Sequence, residues 1–175
     1  EEYFSNTNDL INSSFFLPYL SGERTPHNDP YIRGSFHSMK TTTNATNLQY
    51  AVIEGISFGI LDGVNSILKV NNNFEKIFMV GGGSKSKFWI ELLASLLNRK
   101  LSVCDQSEFG AALGVARLAM YVDKNIDTKE NIIKEINVSK SFNPNQDKID
   151  LLLKRYNIWR DIYSSNKKIA SNLLA

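Results

Sequence analysis

An apolar run that stops at three consecutive glycines constrains the fold of this chain more than any other feature. Residues 76–80 form the run, Gly81, Gly82 and Gly83 follow, and a helix-like pattern begins at Ser84. Glycines have no Cβ atom and let a ligand approach the main chain closely, and the N-terminus of a helix favours phosphate. The order of strand, glycine loop and helix predicts nucleotide binding, with a plain tight turn as the alternative.

The segments on either side of the glycines predict a parallel sheet. Residues 76–80 are apolar almost throughout, which favours a strand covered on both faces. A helix predicted at 84–98 carries a wide apolar stripe, and a further strand is predicted at 100–104. The strand, the helix and the second strand together have the length of a right-handed βαβ unit.

Apolar periodicity and turn residues predict the remaining elements. They are strands at 15–17 and 34–39, a helix from a capping box of Thr46 and Gln49 to about residue 70, a small-residue helix at 110–119 and an amphipathic helix from 146 to about 164. Residues 1–14 are predicted to be a lead-in segment, and residues 123–146 show no clear element.

The long helix carries two regular patterns. Its apolar residues lie near one face and predict the side that is buried: they are Leu48, Val52, Ile56, Leu61, Val64 and Leu68. Gly55, Gly59 and Gly63 recur at a spacing of four, although a glycine costs roughly 1 kcal/mol in a helix interior. Their shared face therefore predicts close packing against a neighbouring element.

Composition and charge narrow the functional classes. A chain of 175 residues with 42% apolar residues fits one globular domain, and a net charge of +2 is too balanced for nucleic-acid binding. The single cysteine, Cys104, excludes a disulfide framework and is compatible with a cytoplasmic location. No apolar run approaches the roughly 20 residues of a membrane span. The first residue, Glu1, leads us to expect a piece of a longer protein.

Several common motifs do not fit. Ser84 stands where a Walker A motif needs a glycine before the lysine, and no later glycine completes a dinucleotide-binding fingerprint. His27 and His37 have no cluster of cysteines or carboxylates at metal-ligand spacing, so no metal site is predicted. Neither Ser21 nor Ser84 has a histidine and an acid in motif context, which disfavours a hydrolase triad.

A charged pair occupies the loop between the first two strands. Glu23 and Arg24 lie between Gly22 and Pro26. A solvated surface pair is the usual outcome for such residues. The alternative is that the pair holds the shape of the loop or faces a second domain.

Several motifs together resemble those of the FGGY carbohydrate kinases. The loop at 19–30 resembles the version found in the xylulose kinases of that family. The other segments that carry the resemblance are Arg33 with Gly34, Glu54 with Gly55, the glycine loop at 81–84, residues 87–89 and residues 110–116. They follow the family's order between residue 15 and about residue 122, and the rest of the chain matches only as a helical tail.

The resemblance implies an α/β fold, namely a ribonuclease H-like domain of the actin-like ATPases with a mixed sheet flanked by helices. Residues 15–175 resemble the C-terminal, nucleotide-binding domain, and the N-terminal catalytic domain is absent from this sequence. The implied cofactors are ATP and Mg²⁺, with Mg²⁺ held mainly through the phosphates and the absent domain. The implied cofactor-binding residues are Gly81, Gly82, Gly83 and Ser84 on the phosphates or ribose and Lys87 near the adenosine, where glycerol kinases carry asparagine.

The implied reaction is transfer of the ATP γ-phosphate to a hydroxyl of a ketopentose, which converts D-xylulose to D-xylulose 5-phosphate. In the family, the catalytic aspartate and the main sugar-binding residues belong to the absent domain. Because phosphoryl transfer needs all its parts assembled, this chain alone is predicted to be inactive. We expect Asp29 to lie in a turn, Asp62 on a helix surface and Asp105 at a strand end, none of them acting as the base.

Alternatives to a xylulose kinase stay open. One is a kinase for another sugar, such as gluconate, and another is a non-enzymatic interaction or regulatory domain of the same fold. A Rossmann-type enzyme is disfavoured by the missing fingerprint. The expected partners are a sugar substrate, the missing N-terminal domain and, as a further option, a second copy of the chain, whereas neither nucleic acid nor a membrane is expected.

Overall fold

The computed structural model describes residues 14–70, 76–105, 107–122 and 137–173. The predicted lead-in at 1–14 lies outside these residues except for Ser14, and so do residues 123–136 of the segment for which no element was predicted. The described residues form an α/β structure in which helices flank a mixed sheet, as predicted, together with a separate two-stranded sheet.

The strands form one antiparallel pair and one mixed sheet. In the pair, β1 (Phe15–Leu17) lies against β2 (Ser35–His37). In the sheet, β3 (Ile77–Met79) runs parallel to β4 (Leu101–Cys104), and β5 (Val138–Phe142) is antiparallel to β4. The predicted βαβ unit is therefore confirmed, although the residues of β3 are half-buried rather than covered on both faces. The sequence analysis missed β5, in which Lys140 interrupts the apolar alternation between Val138 and Phe142 and four of the five residues are exposed.

Four helices were predicted, and the structure places all of them with altered ends. They are α1 (Ala45–Leu68), α2 (Lys87–Leu97), α3 (Gly110–Val122) and α4 (Gln146–Leu173). The last helix runs nine residues beyond the predicted end at about 164 because its final turns still pack on the domain: Asn166 and Ala170 are buried. The Asn166 side-chain amide donates to the carbonyl of Arg33, 3.3 Å away.

The start and the buried face of α1 differ from the prediction. The capping box consists of Asn44 and Asn47, whose side chains each accept a hydrogen bond of 3.0 Å from the other's backbone N–H, and the predicted box of Thr46 and Gln49 is wrong. The buried residues are Tyr50, Ala51, Glu54, Gly55, Ser57, Phe58, Leu61 and Asp62. Of the predicted apolar stripe only Leu61 is among them, because partners on other helices satisfy the polar groups of the observed face.

The three glycines of α1 do not share one role. A Cβ atom on Gly55 would lie 2.1 Å from the carbonyl oxygen of Phe16, so β1 crosses α1 here at a distance that only glycine permits. The nearest atom to a Cβ on Gly59 would be 3.9 Å away, and Gly63 has no described neighbour within 4 Å. The predicted close packing is confirmed at Gly55 and is wrong at Gly63.

By length and composition, α1 could cross a membrane, which the sequence analysis did not anticipate. Its packing instead places it inside the folded domain. The helix contacts β1, α2 and α4, and its buried face carries the carboxylates of Glu54 and Asp62. A buried Arg155 on α4 forms an ion pair with Glu54 at 2.7 Å. In this structure α1 is the central helix of the packed domain.

Two hydrophobic clusters use different faces of α2. The first joins α2 to β1, α1 and α4; its buried members include Leu17, Phe58, Leu92, Leu96, Leu152 and Trp159. The second joins α2 to the mixed sheet and consists of Ile90, Leu93, Ala94, Leu101 and Val103. Because α2 is buried on both faces, the glycine loop that leads into it has a firmly packed base.

Candidate functional site

The glycine loop between β3 and α2 is tied to the segment that follows β4. Gly81 has a positive φ of 83°, a conformation that favours glycine. Its N–H donates to the carbonyl oxygen of Ser107 at 2.8 Å. The carboxyl ends of the parallel strands β3 and β4 therefore meet at one edge of the sheet, which is the edge where α/β proteins bind their ligands.

Ser84 braces the loop from inside. Its side chain is buried, and its hydroxyl donates to the carbonyl oxygen of Gly81 at 2.7 Å. Oγ of Ser84 also lies 2.8 Å from Oγ of Ser107. The hydroxyl of Ser84 thus joins the glycine loop to the segment after β4. The neighbouring Gly82 is exposed to solvent.

The loop and helix form two separate elements rather than the single predicted helix at 84–98. A 3₁₀ turn spans Gly82–Lys85, and α2 begins after it. Ser86 separates them as the N-cap: its hydroxyl accepts from the backbone N–H of Trp89 at 3.2 Å. Serine is a preferred N-cap residue because its side chain replaces a missing backbone acceptor, so the helix starts at Lys87.

Two of the three glycines face open space, and the third is packed. Cβ atoms on Gly81 or Gly82 would have no described neighbour within 4 Å. A Cβ on Gly83 would lie 2.7 Å from Cζ3 of Trp89 and 3.0 Å from Cε of Met79. Gly82 is thus the exposed member of the loop, whereas Gly83 is required by the aromatic ring beneath it.

Lys87 is the first residue of α2 and points its charge along the helix surface. Its Nζ atom lies 3.6 Å from Oε1 of Glu91, one turn later, and both side chains are more than half exposed. Such an exposed pair contributes little to stability. With Lys85 nearby in the 3₁₀ turn, the loop carries two lysines and no carboxylate between residues 81 and 87.

These features are favourable for an anion, and they include no acid or base. The first N–H groups of a helical turn have no acceptor within that turn, and Gly82 and Gly83 occupy these positions. Oriented N–H groups, the positive end of α2 and two lysines favour phosphate. No side chain between residues 81 and 87 is suited to remove a proton from a hydroxyl at neutral pH.

The loop that contains Glu23 holds its own shape. The backbones of Glu23 and Asp29 exchange two hydrogen bonds of 2.8 and 2.7 Å, and the carboxylate of Glu23 accepts from the N–H of His27 at 2.7 Å. The alternative that the pair holds the shape of the loop is therefore confirmed for Glu23, whereas Arg24 is exposed. Asp29 lies in a turn as predicted and accepts from the N–H groups of Tyr31 and Ile32.

Asp62 and His27 lie in a second polar region, against α4. Asp62 is buried and accepts a hydrogen bond from the hydroxyl of Tyr156, so its predicted place on a helix surface is wrong. Nε2 of His27 lies 3.8 Å from Oδ2 of Asp62, and its ring stacks on Tyr163 with centroids 3.6 Å apart. Burial, with the hydrogen bond and charge of Asp62, raises the pKa of Tyr156 to about 12.

The second polar region connects the loop around Glu23 to α4. Tyr163 donates from its hydroxyl to Asp29 at 3.0 Å, so the loop around Glu23 is bound to α4. His37, the other histidine, instead lies 2.7 Å from the Ser35 hydroxyl. Asp105 follows β4, as predicted. Within the described ranges, no group of three or more histidine, cysteine, aspartate and glutamate side chains could hold a metal ion.

Sequence reasoning missed Ser57, Trp89 and Ser107 as parts of the site. Ser107 had a usable signal, because it follows the second strand of a predicted parallel pair and had to lie beside the glycine loop. Ser57 had none, since it approaches Trp89 only through the packing of α1 on α2.

The described residues form a mixed α/β domain with a glycine loop between a strand and a helix, and comparison with known proteins gives its family. A model of the C-terminal domain of the FGGY family of carbohydrate kinases matches residues 5–122, and the chain belongs to this family. The predicted resemblance is thereby confirmed, together with the ribonuclease H-like, actin-like ATPase fold.

Individual relatives agree with this assignment. The chain is 35% identical to a xylulose kinase of Staphylococcus epidermidis over 164 residues, which cover 93% of this chain and 33% of that protein. The structure of a xyloylose kinase from Brucella ovis matches with a TM-score of 0.78 and 29% identity, over 96% of this chain and 37% of the other. A gluconate kinase from Lactobacillus acidophilus matches with a TM-score of 0.69 and 27% identity, over 90% and 33%. The chain thus spans about a third of the length of the curated relatives it matches.

Proposed function

We propose that this chain is the nucleotide-binding, C-terminal part of a cytoplasmic sugar kinase. The complete enzyme transfers the γ-phosphate of ATP to a hydroxyl of D-xylulose and forms D-xylulose 5-phosphate. The similarity to the xylulose kinase of Staphylococcus epidermidis, at 35% identity over 93% of the chain, supports this substrate. The observation that carries the nucleotide role is the exposed backbone of Gly82 at the start of a helical turn.

The loop fits an ATP phosphate through its backbone. In the proposal, Gly81, Gly82 and Gly83 let a phosphate or the ribose approach the main chain, and Ser84 keeps their conformation by its bond to Gly81. Lys87 is the first residue of α2, and in the proposal it adds positive charge near the adenosine. These residues bind and orient the nucleotide, and none of them performs a proton transfer.

Magnesium does not fit this loop as a directly bound ion. Mg²⁺ prefers oxygen ligands and is usually held by one or two carboxylates together with substrate phosphates. The first carboxylate after the loop in sequence, that of Glu91, is paired with Lys87. In the proposal the phosphates and the remainder of the longer protein hold the ion.

The helix α3 supports the proposal that a further domain covers this chain. It is apolar on nearly every side, with a single charged residue, and none of its described side chains is buried. A helix that is apolar all round normally lies inside a protein. We assign the covering surface to the N-terminal domain, because the relatives are about three times as long as this chain.

The same exposed helix also favours a second candidate, a binding module without catalysis. Val115, Leu118 and Val122 are each about two-thirds exposed or more and could bind another protein or a second copy of this chain. In that case the full-length protein would oligomerise through α3 and would not phosphorylate a sugar.

A sugar phosphorylation assay separates these functions. With ATP and Mg²⁺, the full-length protein is expected to phosphorylate D-xylulose faster than gluconate, and the 175-residue chain alone is expected to show no activity because phosphoryl transfer needs a base and an aligned hydroxyl. Adding the separately produced N-terminal domain should restore part of the rate. Phosphorylation by the chain alone would contradict the half-site assignment, and a preference for gluconate would correct the substrate.

A further inference from the structure

The ring of Trp89 forms the floor of the glycine loop. Cζ3 of this ring lies where a Cβ atom of residue 83 would be only 2.7 Å away, so the ring and the backbone of Gly83 are in direct contact. The backbone N–H of Trp89 is in turn bonded to the N-cap hydroxyl of Ser86 at 3.2 Å. A shift of this side chain therefore displaces both the loop and the start of α2.

A hydrogen bond joins the ring to α1. Nε1 of Trp89 donates to Oγ of Ser57 at 2.9 Å, and that hydroxyl donates its own proton to the carbonyl oxygen of Ile53 at 2.7 Å. Ser57 has no solvent exposure. The indole N–H would thus lose its acceptor if this hydroxyl were removed, and a half-buried donor without a partner is unfavourable.

The helix that carries Ser57 is itself held firmly. One turn earlier, Glu54 receives two hydrogen bonds of 2.7 Å from Arg155, which joins α1 to α4. Gly55 brings the backbone of β1 against the same turn. The hydroxyl of Ser57 is therefore held in place. It restrains the Trp89 ring, and the ring in turn restrains the glycine loop.

We infer that Ser57 and Trp89 are positioning residues that set the glycine loop for nucleotide binding. This inference rests on the proposed function, because it takes the loop to be the nucleotide site. The two residues touch no reacting atom; they hold the backbone of Gly82 and Gly83 at the height where their amides meet a phosphate. Their loss weakens ATP binding and leaves sugar binding nearly unchanged.

The test compares two matched serine substitutions in the full-length protein. Ser95 on α2 resembles Ser57: it is buried, donates to the carbonyl four residues earlier and accepts one N–H, that of Asn145. Ser57→Ala is expected to raise KM for ATP about tenfold, as for one lost hydrogen bond. KM for the sugar should stay within about twofold, and Ser95→Ala should change neither value by more than about twofold.

A double-mutant cycle and amide exchange complete the test. In the Trp89→Phe background, which keeps a ring under Gly83, Ser57→Ala should change KM for ATP less than about twofold further, because the two residues act through one bond. Amide hydrogen exchange at residues 81–86 should be faster in Ser57→Ala than in Ser95→Ala, without any nucleotide present. Equal values for the two serine variants in both measurements overturn the inference.

The outcomes also separate this inference from the proposed function. If the wild-type protein is an active kinase and Ser57→Ala changes neither its ATP affinity nor amide exchange in the loop, the proposed function stands and the positioning role is wrong. If the wild-type protein neither binds ATP nor phosphorylates a sugar, the proposed function is wrong. Amide exchange in the loop then decides by itself whether Ser57 and Trp89 position the loop.

Discussion

Replacing Arg155 by methionine is expected to lower the free energy of unfolding by about 3–5 kcal/mol. The guanidinium of Arg155 donates two hydrogen bonds of 2.7 Å to Glu54, whose side chain is 1% exposed. Without this partner, the carboxylate of Glu54 stays in an apolar environment with only a long hydrogen bond of 3.4 Å from Tyr50. Removing one member of a buried pair is costly because the other charge remains buried.

Control variants distinguish the ion pair from a general effect on α4. Arg160→Met changes an exposed arginine of the same helix and should cost less than about 1 kcal/mol. Changing both Glu54 and Arg155 to methionine should recover most of the loss, because apolar residues of similar volume can replace a buried pair. Urea denaturation of each variant measures these differences. A deficit in Arg155→Met no larger than in Arg160→Met would contradict the role of the pair.

The deficit of Arg155→Met should also depend on pH. Burial raises the pKa of Glu54, and the hydrogen bonds and charge of Arg155 oppose that rise. In the variant only the burial effect remains strong, so the pKa of the folded state lies above that of the unfolded chain. Such a shift destabilises the fold at high pH and disappears when both states are protonated. The deficit should therefore shrink as the pH is lowered towards the ordinary pKa of a glutamate.

Gly55→Ala and Gly63→Ala are expected to change stability in opposite directions. The added Cβ of Gly55→Ala would meet the Phe16 carbonyl oxygen at 2.1 Å. That oxygen also accepts from Nε1 of Trp159 at 2.8 Å, so β1 is held from α4 and has little freedom to move away. We expect a loss of about 3 kcal/mol, at the upper end for overpacking.

Gly63→Ala serves as the matched control. It lies on the same helix, two turns later, and its added Cβ meets no described atom within 4 Å. The substitution should stabilise the domain by about 0.5–1 kcal/mol, because alanine favours a helix interior over glycine. Thermal unfolding of both variants decides between the two roles. If Gly55→Ala were as stable as Gly63→Ala, the close crossing of β1 and α1 would be wrong.

The elements around the glycine loop were the most predictable part of the fold. Residues 76–104 contain two apolar runs and an apolar helix close together in sequence, and such local patterns specify a βαβ unit without further information. The start at Lys87 was misplaced because Ser84, Ser86 and the glycines allowed more than one cap. The sequence was thus sufficient to predict the strands and the helix here, whereas the geometry of the loop between them became known only from the structure.

The buried face of α1 was the least predictable part. Its polar members find partners far away in sequence: Glu54 pairs with Arg155, and Asp62 with Tyr156. Predicting the buried face from apolar periodicity assumes that carboxylates face solvent, and this assumption assigned the wrong face of α1 to the core. The same reason hid Ser57 as a support of the loop, because its role depends on the indole N–H of Trp89.

The affinity of the full-length protein for ATP, compared between wild type and Gly82→Val, tests the role of the loop most directly. Gly82 is exposed, has an ordinary backbone conformation and has room for a Cβ, so the substitution should leave the unfolding midpoint unchanged. The new side chain covers the backbone that we propose receives the phosphate, and the dissociation constant for ATP should rise about tenfold or more, or ~1.4 kcal/mol. Gly63→Val, the same change on α1, should shift it less than about twofold. An unchanged dissociation constant in a stable Gly82→Val protein would contradict nucleotide binding at the glycine loop.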